Sequence, residues 1–209
     1  MKKSIKTLPV HRRTAKMCML LFSPQNYKKT FNMANYKQII PFILSWEGGF
    51  CNRKNDRGGA TNKGVTINTW RGYCAKKCKP ATIETLKAMT TSEWEEIFKT
   101  MYWDALKLDN VTDQNVANIM VDWAWASGVG TAARQLQKLV GVKVDGIIGN
   151  KTLAAINSTS GLPLFGRIKQ MRLLFVKSIV KNDKSQKENL RGWERRINSI
   201  MYDNLILNK

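Results

Sequence analysis

Apolar residues recur at helical spacing along much of the chain. The first such stretch has apolar residues at positions 39, 40, 43, 44 and 46, and Gly48 and Gly49 follow directly after it. Glycine commonly ends helices because it adopts backbone conformations that other residues avoid. We therefore predict a first helix that starts near Met33 and has Glu47 in its last turn.

Several further segments show the same periodicity. Ser92 and Glu95 fit a capping box, and the apolar face that follows them predicts a helix ending near Trp103. Other helices are predicted over residues 113–126, 136–140, 153–156, 168–180 and 194–207. Only residues 50–67 have the Gly, Asn and Thr content of a small hairpin. The predicted fold is mainly α with one short β-hairpin.

Glu47 and Asp56 are two carboxylates in contrasting surroundings. The negative end of the helix dipole and the neighbouring Trp46 and Phe50 favour the protonated form of Glu47, which a general acid needs. Asp56 lies in a polar loop among lysines and arginines, which favour its charged form. The two carboxylates can thus divide acid and base roles. The alternative is an ordinary surface glutamate near a helix end and a turn aspartate.

Longer motifs surround Glu47. The chain reads E-G-G-F at residues 47–50, N-D-R-G-G-A-T-N-K-G-V-T at 55–66 and V-D-W-A-W-A-S-G at 121–128. Together they resemble glycoside hydrolase family 108, peptidoglycan-cleaving enzymes of the lysozyme-like superfamily, some of which are called secretion activators. The resemblance covers roughly residues 33–209 and implies a lysozyme-like helical domain with the hairpin beside the active site.

The resemblance also implies roles for residues of the first motif. Glu47 is expected to be the catalytic acid, and Asp56, nine residues later, matches the Glu, Asp, Thr arrangement of phage lysozymes. Thr61 is the expected third member, although it lies one residue closer than that pattern requires. Asn62 and Thr66 are expected to bind amide groups of the sugars.

The second motif contributes further candidates. Asp122 interrupts an apolar helix, so it is expected either to find hydrogen-bond partners in the structure or to contact substrate. Tyr102, Trp103 and Trp125 can stack on sugar rings, although aromatic residues at helical spacing more often form core. Ser127 departs from the Asn expected in the family, so a substrate contact there is not expected.

Residues 136–156 resemble the peptidoglycan-binding repeat attached to many wall hydrolases. Its core is Asp145, Gly146, Gly149 and Thr152, and a plain helical hairpin is the alternative. We predict a lysozyme-like catalytic region over residues 33–135 and a peptidoglycan-binding-like region over 136–209, packed on the same domain. A late G-W-E-R-R motif at 192–196 also matches the family, and packing of Trp193 is its simplest interpretation.

The charge of the chain is strongly positive. The formal net charge is +20, and residues 1–32 hold eight Lys or Arg and no acid, so the rest still carries +12. Such a charge favours polyanions, and the anionic bacterial wall is the expected partner because no nucleic-acid-binding signature accompanies it. Residues 1–32 are interpreted as a disordered basic arm or upstream sequence. Their apolar run, at 17–22, is shorter than the core of a signal peptide.

Neither a cofactor nor a metal is expected. The four cysteines, at positions 18, 51, 74 and 78, have no disulfide framework spacing, so reduced thiols are predicted. His11 is the sole histidine, which makes a zinc site improbable. No run of about twenty apolar residues predicts a membrane span.

The sequence thus predicts an endolysin-like muramidase that cleaves the β-1,4 bond between N-acetylmuramic acid and N-acetylglucosamine. Synthesis in the cytoplasm and passage to the wall through a membrane pore or lysis are expected, as for a phage or prophage enzyme. Two alternatives remain open: a lytic transglycosylase, which leaves an anhydro sugar, and a noncatalytic wall-binding or secretion-associated protein.

Overall fold

The chain alternates short and long helices, and two small hairpins interrupt them. The computed structural model describes residues 33–52, 59–159 and 161–208. The predicted arm at 1–32 and the predicted catalytic Asp56 lie outside these residues. The helices are α1 Ile40–Trp46, α2 Ile67–Lys76, α3 Ile83–Lys87, α4 Thr91–Phe98, α5 Gln114–Ser127, α6 Val129–Val140, α7 Asn150–Asn157, α8 Gly161–Asn182 and α9 Lys187–Ser199.

The two hairpins are antiparallel and each consists of two-residue strands. In the first, β1 Thr61–Asn62 pairs with β2 Val65–Thr66, so Thr61 lies opposite Thr66. In the second, β3 Ile200–Met201 pairs with β4 Asn204–Leu205. The predicted mainly α fold with a small hairpin is confirmed. The prediction of a helix over 194–207 is wrong, because α9 ends at Ser199 and the second hairpin follows it.

Helix α5 forms the centre of the core. Every residue from 116 to 124 is buried, because α6 and α8 pack against this helix from different sides. Its N-cap is Asp113, whose carboxylate accepts a hydrogen bond from the backbone N–H of Val116 at 2.9 Å. A helix enclosed in this way can hold its C-terminal residues, including Trp125, in a fixed position.

Helix α4 begins earlier than predicted. Its N-cap is Thr90, and Glu93 accepts a hydrogen bond from the Thr90 backbone N–H at 2.9 Å to complete the capping box. The expected pair of Ser92 and Glu95 is therefore wrong. Three successive hydroxyl residues, at 90–92, can each serve as a cap, and the Glu95 carboxylate instead accepts a hydrogen bond from the Tyr36 hydroxyl.

A π-helical turn over Lys99–Trp103 follows α4. The wider turn places Tyr102 half-buried and Trp103 fully buried. Two adjacent aromatic residues thus have different surroundings.

In the described residues, no helix is both long and apolar enough to span a membrane.

The first helix is also shorter than predicted, because it starts at Ile40 and not near Met33. A single 3-10 turn at Tyr36–Gln38 precedes α1, and Pro41 lies in the first turn of α1, where proline is tolerated. Residues 33–52, 59–159 and 161–208 all fall within one compact unit. The same unit therefore holds the predicted catalytic region and the helices that follow it.

Candidate functional site

Glu47 lies where four elements of the fold meet. It is the C-cap of α1, and its backbone has left the helical conformation, with φ −96° and ψ 138°. Around its side chain are Trp125 from the end of α5, Gly64 from the turn of the first hairpin and Arg196 from α9. The Glu47 side chain is 14% exposed, so solvent reaches it only in part.

The two carboxylate oxygens of Glu47 have different surroundings. Oε1 accepts hydrogen bonds from Trp125 Nε1 at 2.8 Å and from Arg196 Nη1 at 2.7 Å. In the part of the chain that the structure describes, no donor is bonded to Oε2, which faces the Lys63–Gly64 turn. One oxygen therefore fixes the side chain, and the other has no bonded donor among these residues.

The turn of the first hairpin must be tight to fit beside Glu47. Lys63 and Gly64 both have positive φ, of 45° and 79°, as a two-residue hairpin turn of the favoured type requires. A Cβ added at Gly64 would lie 2.6 Å from Glu47 Oε2 and 2.7 Å from Trp125 Cζ2. The backbone carbonyl of Lys63 accepts a hydrogen bond from Trp94 Nε1 at 2.8 Å, which ties the turn to α4.

Arg196 joins Glu47 to a buried charge network. Its Nε and Nη2 both donate to Asp122 Oδ1, at 3.0 and 2.8 Å, and Arg172 Nη2 donates to Asp122 Oδ2 at 2.7 Å. Burial opposes the charged form of Asp122, but Arg196 and Arg172 outweigh it and hold the pKa of this carboxyl below its ordinary value. Asp122 is therefore a structural residue with no exposed surface, and the alternative of a substrate contact is wrong.

Aromatic residues form one wall around Trp125. The ring of Tyr102 lies 4.7 Å from that of Trp125, and the rings of Trp94 and Phe98 pack on its other sides. Burial raises the pKa of the Tyr102 hydroxyl, a hydrogen bond with Thr69 opposes this rise, and the Glu47 carboxylate adds to it. Tyr102 thus lies close enough to Glu47 to interact with its charge. Tyr102 and Trp125 both keep exposed surface, and the prediction that they stack on sugars remains a prediction.

Trp103 does not belong to this wall. It is fully buried, and its Nε1 donates to Asp109 Oδ1 at 2.6 Å. The prediction of a sugar contact by Trp103 is therefore wrong. The π-helical turn moves this residue into the core, which periodicity of an ordinary helix does not reveal.

Three polar residues of the first motif have roles within the hairpin. The buried amide of Asn62 donates to the backbone carbonyls of Leu86 and Lys87, at 2.9 and 3.2 Å, so it anchors the hairpin to α3. The Thr66 hydroxyl caps α2 by accepting from the Thr69 backbone N–H at 3.2 Å. Sugar binding by these two side chains is thus not supported, because their hydrogen-bonding groups serve the fold. The Thr61 hydroxyl donates to the Gly59 carbonyl at 3.3 Å, and its catalytic role stays a prediction.

Arg196 and Arg172 are the site residues that the sequence pattern did not reveal. Arg196 closes the G-W-E-R-R motif, which was interpreted through Trp193 alone. Trp193 is half-buried and lines a small cavity beside Arg196, between α5, α8 and α9. The one signal in the sequence was Asp122, because a carboxylate within an apolar helix requires a partner from elsewhere in the chain.

Comparison with known proteins agrees with this arrangement. The family model described as Glycosyl hydrolase 108 matches residues 40–128, which include Glu47, Gly64, Asp122 and Trp125. The model described as Predicted Peptidoglycan domain matches residues 131–198, which include Arg172 and Arg196. Among curated proteins there is no match.

A solved structure shares the fold. SagA of Brucella abortus is 29% identical in sequence and superposes with a TM-score of 0.63, over 83% of this chain and 96% of that one. The likeness therefore extends through both matched regions. Residues 40–128 thus match the hydrolase region of glycoside hydrolase family 108, and residues 131–198 match a predicted peptidoglycan domain.

Proposed function

We propose that this peptidoglycan hydrolase is an N-acetylmuramidase, which cleaves the β-1,4 bond between N-acetylmuramic acid and N-acetylglucosamine with Glu47 as general acid. One observation carries the proposal: Glu47 Oε1 is held by two donors, while Oε2, beside the hairpin turn, accepts no hydrogen bond from the residues that the structure describes. A general acid needs a fixed carboxyl group with one oxygen free to hold the proton that it transfers.

The reaction follows from this geometry. The proton on Glu47 Oε2 passes to the glycosidic oxygen while the bond between that oxygen and the anomeric carbon breaks. The sugar then carries positive charge, which Asp56 is proposed to stabilise, and Asp56 or Thr61 positions the attacking water. Water supplies a hydroxyl to the anomeric carbon, and its remaining proton restores the acid.

Two groups of residues support peptidoglycan as the substrate. Trp125 and Tyr102 are partly exposed residues next to the proposed acid, where a sugar face can stack. The region matched by the predicted peptidoglycan domain packs against the hydrolase region through α5, α6 and α8. We propose that the enzyme acts as an endolysin, made in the cytoplasm and released to the wall through a membrane pore or by lysis.

The masses of the products test the reaction type. Digestion of purified sacculi is expected to release muropeptides with reducing N-acetylmuramic acid ends, since water is the proposed acceptor. Anhydro ends would instead identify a lytic transglycosylase. Binding to sacculi without release of fragments would identify a noncatalytic wall-binding protein.

Gly64→Ala is expected to impair the enzyme through direct contact with the acid. The added methyl group would overlap Glu47 Oε2 and Trp125, so the carboxyl group must move, and we expect turnover to fall by about tenfold or more. The positive φ of 79° adds a backbone strain of about 1–2 kcal/mol. Turnover on sacculi and thermal unfolding measure the two effects.

Gly141→Ala is the matched control for this variant. Gly141 has a similar φ of 72°, and nothing lies within 4 Å of its added Cβ among the described residues. The control should show the strain and keep parental turnover. Equal turnover in the two variants would contradict the close approach of the turn to Glu47.

A further inference from the structure

Arg196 connects the proposed acid to a part of the chain 149 residues away. It lies on α9, within the region matched by the predicted peptidoglycan domain. Its three guanidinium nitrogens are all engaged: Nη1 with Glu47, and Nε and Nη2 with Asp122. The orientation of this guanidinium is therefore determined by two carboxylates, one at the end of α1 and one within α5.

Arg196 makes more hydrogen bonds with Asp122 than with Glu47. Asp122 has no exposed surface, and it receives two hydrogen bonds from Arg196 and one from the buried Arg172. Turning Arg196 away would leave a buried carboxylate short of partners, which is costly. Asp122 thus fixes the guanidinium of Arg196, and this fixes the position of Nη1 beside Glu47.

We infer that Arg196 is a positioning residue for Glu47, held in place by Asp122, and that the predicted peptidoglycan domain thereby completes the active site. The inference rests on the proposed function of Glu47. By holding Oε1, Arg196 and Trp125 turn Oε2 toward the hairpin turn and the substrate. By its charge, Arg196 also favours the carboxylate that forms as the proton leaves.

The balance of charge supports the second part of this role. Glu47 and Asp122 together can carry two negative charges, against the two positive charges of Arg172 and Arg196. With Glu47 protonated, the cluster holds one positive charge in excess. Transfer of the proton to the leaving sugar removes that excess, so the preorganised charge favours the direction of the reaction.

The neighbouring Arg195 offers a matched control. It lies on the same helix, but its guanidinium stacks over Trp46 at 5.0 Å and donates to Asn208 at 3.0 Å. Both arginines carry the same charge, but Arg195 is exposed and Arg196 is largely buried. Among the contacts of the described residues, Arg196 forms an ion pair with Glu47 and Arg195 does not.

The experiment compares Arg196→Gln, Arg196→Lys and Arg195→Gln on soluble peptidoglycan fragments. We expect Arg196→Gln to lower kcat by about ten- to a hundredfold with KM changed by less than about threefold, because the acid is misplaced while sugar contacts persist. Arg196→Lys should recover part of the loss, since it keeps the charge but not the forked geometry. Arg195→Gln should have the parental kcat.

The division of the effect between kcat and KM separates a positioning role from a merely structural one. A general loss of structure would change KM and thermal unfolding as well, whereas a misplaced acid lowers kcat alone. Trp125, which also bonds Glu47, and Asp122 and Arg172, which lie beside Arg196, are unchanged in this variant. Parental kcat in a folded Arg196→Gln variant would overturn the inference.

Two further measurements keep the test decisive. If Arg196→Gln fails to fold by circular dichroism, Arg196→Lys becomes the test, and a folded Lys variant with parental kcat would equally overturn the inference. In a background of Glu47→Gln, the Arg196 substitution should have little additional effect, because its role acts through Glu47. A parent enzyme without any product would instead defeat the proposed function itself.

Discussion

Glu47→Gln is expected to lower turnover on peptidoglycan by about a hundredfold or more. The amide keeps the size of the side chain and its ability to accept from Trp125 and Arg196 through its oxygen, but it has no proton of sufficient acidity to transfer. The position of the side chain at the end of α1 should therefore persist. Release of reducing ends from sacculi measures the effect.

Binding to sacculi and thermal unfolding serve as controls for this variant. Both should remain close to those of the parent, because the carboxylate is partly exposed and no core packing changes. A folded Glu47→Gln protein that releases muropeptides at the parental rate would remove the catalytic assignment.

Asp122→Asn is expected to be the most destabilising of the substitutions considered, by about 3–5 kcal/mol in the free energy of unfolding. The variant leaves the guanidiniums of Arg172 and Arg196 without the carboxylate that both share in the interior. Denaturant unfolding measures the change. Turnover should fall as well, since Arg196 loses the group that orients it.

Asp104→Asn provides the comparison with an exposed pair. Asp104 forms an ion pair with Lys99, but 43% of its side chain is exposed, so the change in stability should be below about 1 kcal/mol. If the two variants lose equal stability, the buried network does not have the energetic role described above.

The pH dependence of stability provides a second check on Asp122. Because its pKa in the folded protein is lowered, its contribution is complete above the ordinary aspartate value and is lost as pH falls through the lowered folded value. The difference in unfolding free energy between the parent and Asp122→Asn should therefore shrink on the acid side. A difference that stays constant in acid would contradict the lowered pKa.

Local patterns were sufficient to single out Glu47 as the candidate acid and to predict much of the helical fold. Glu47 could be predicted because a helix end, a glycine pair and a long motif all lie within neighbouring residues. Trp125 was predicted to contact sugars, and the structure shows that it donates a hydrogen bond to Glu47, while its sugar contact stays a prediction. Helix α5 was predicted to within one residue at each end, at 113–126 against Gln114–Ser127.

The errors concern contacts that the local pattern does not determine. Trp103 was misplaced because the π-helical turn departs from ordinary helical spacing. Asn62 and Thr66 were expected to bind the sugars. The Asn62 amide instead donates to a backbone carbonyl of α3, and the Thr66 hydroxyl caps the start of α2. Arg196 was not singled out for Glu47, because their contact joins residues at opposite ends of the domain.

The hairpin at the end of α9 limits how such enzymes can be recombined. The Tyr202 hydroxyl donates to Asp113 Oδ2 at 2.6 Å, and Asn115 pairs with Asp203, so the last strands are fastened to the start of α5. The helix that bears Arg196 is thus secured at its far end by the hydrolase region. A chimaera that exchanges the C-terminal region between two wall hydrolases would therefore have to transfer these contacts and the partners of Arg196 together.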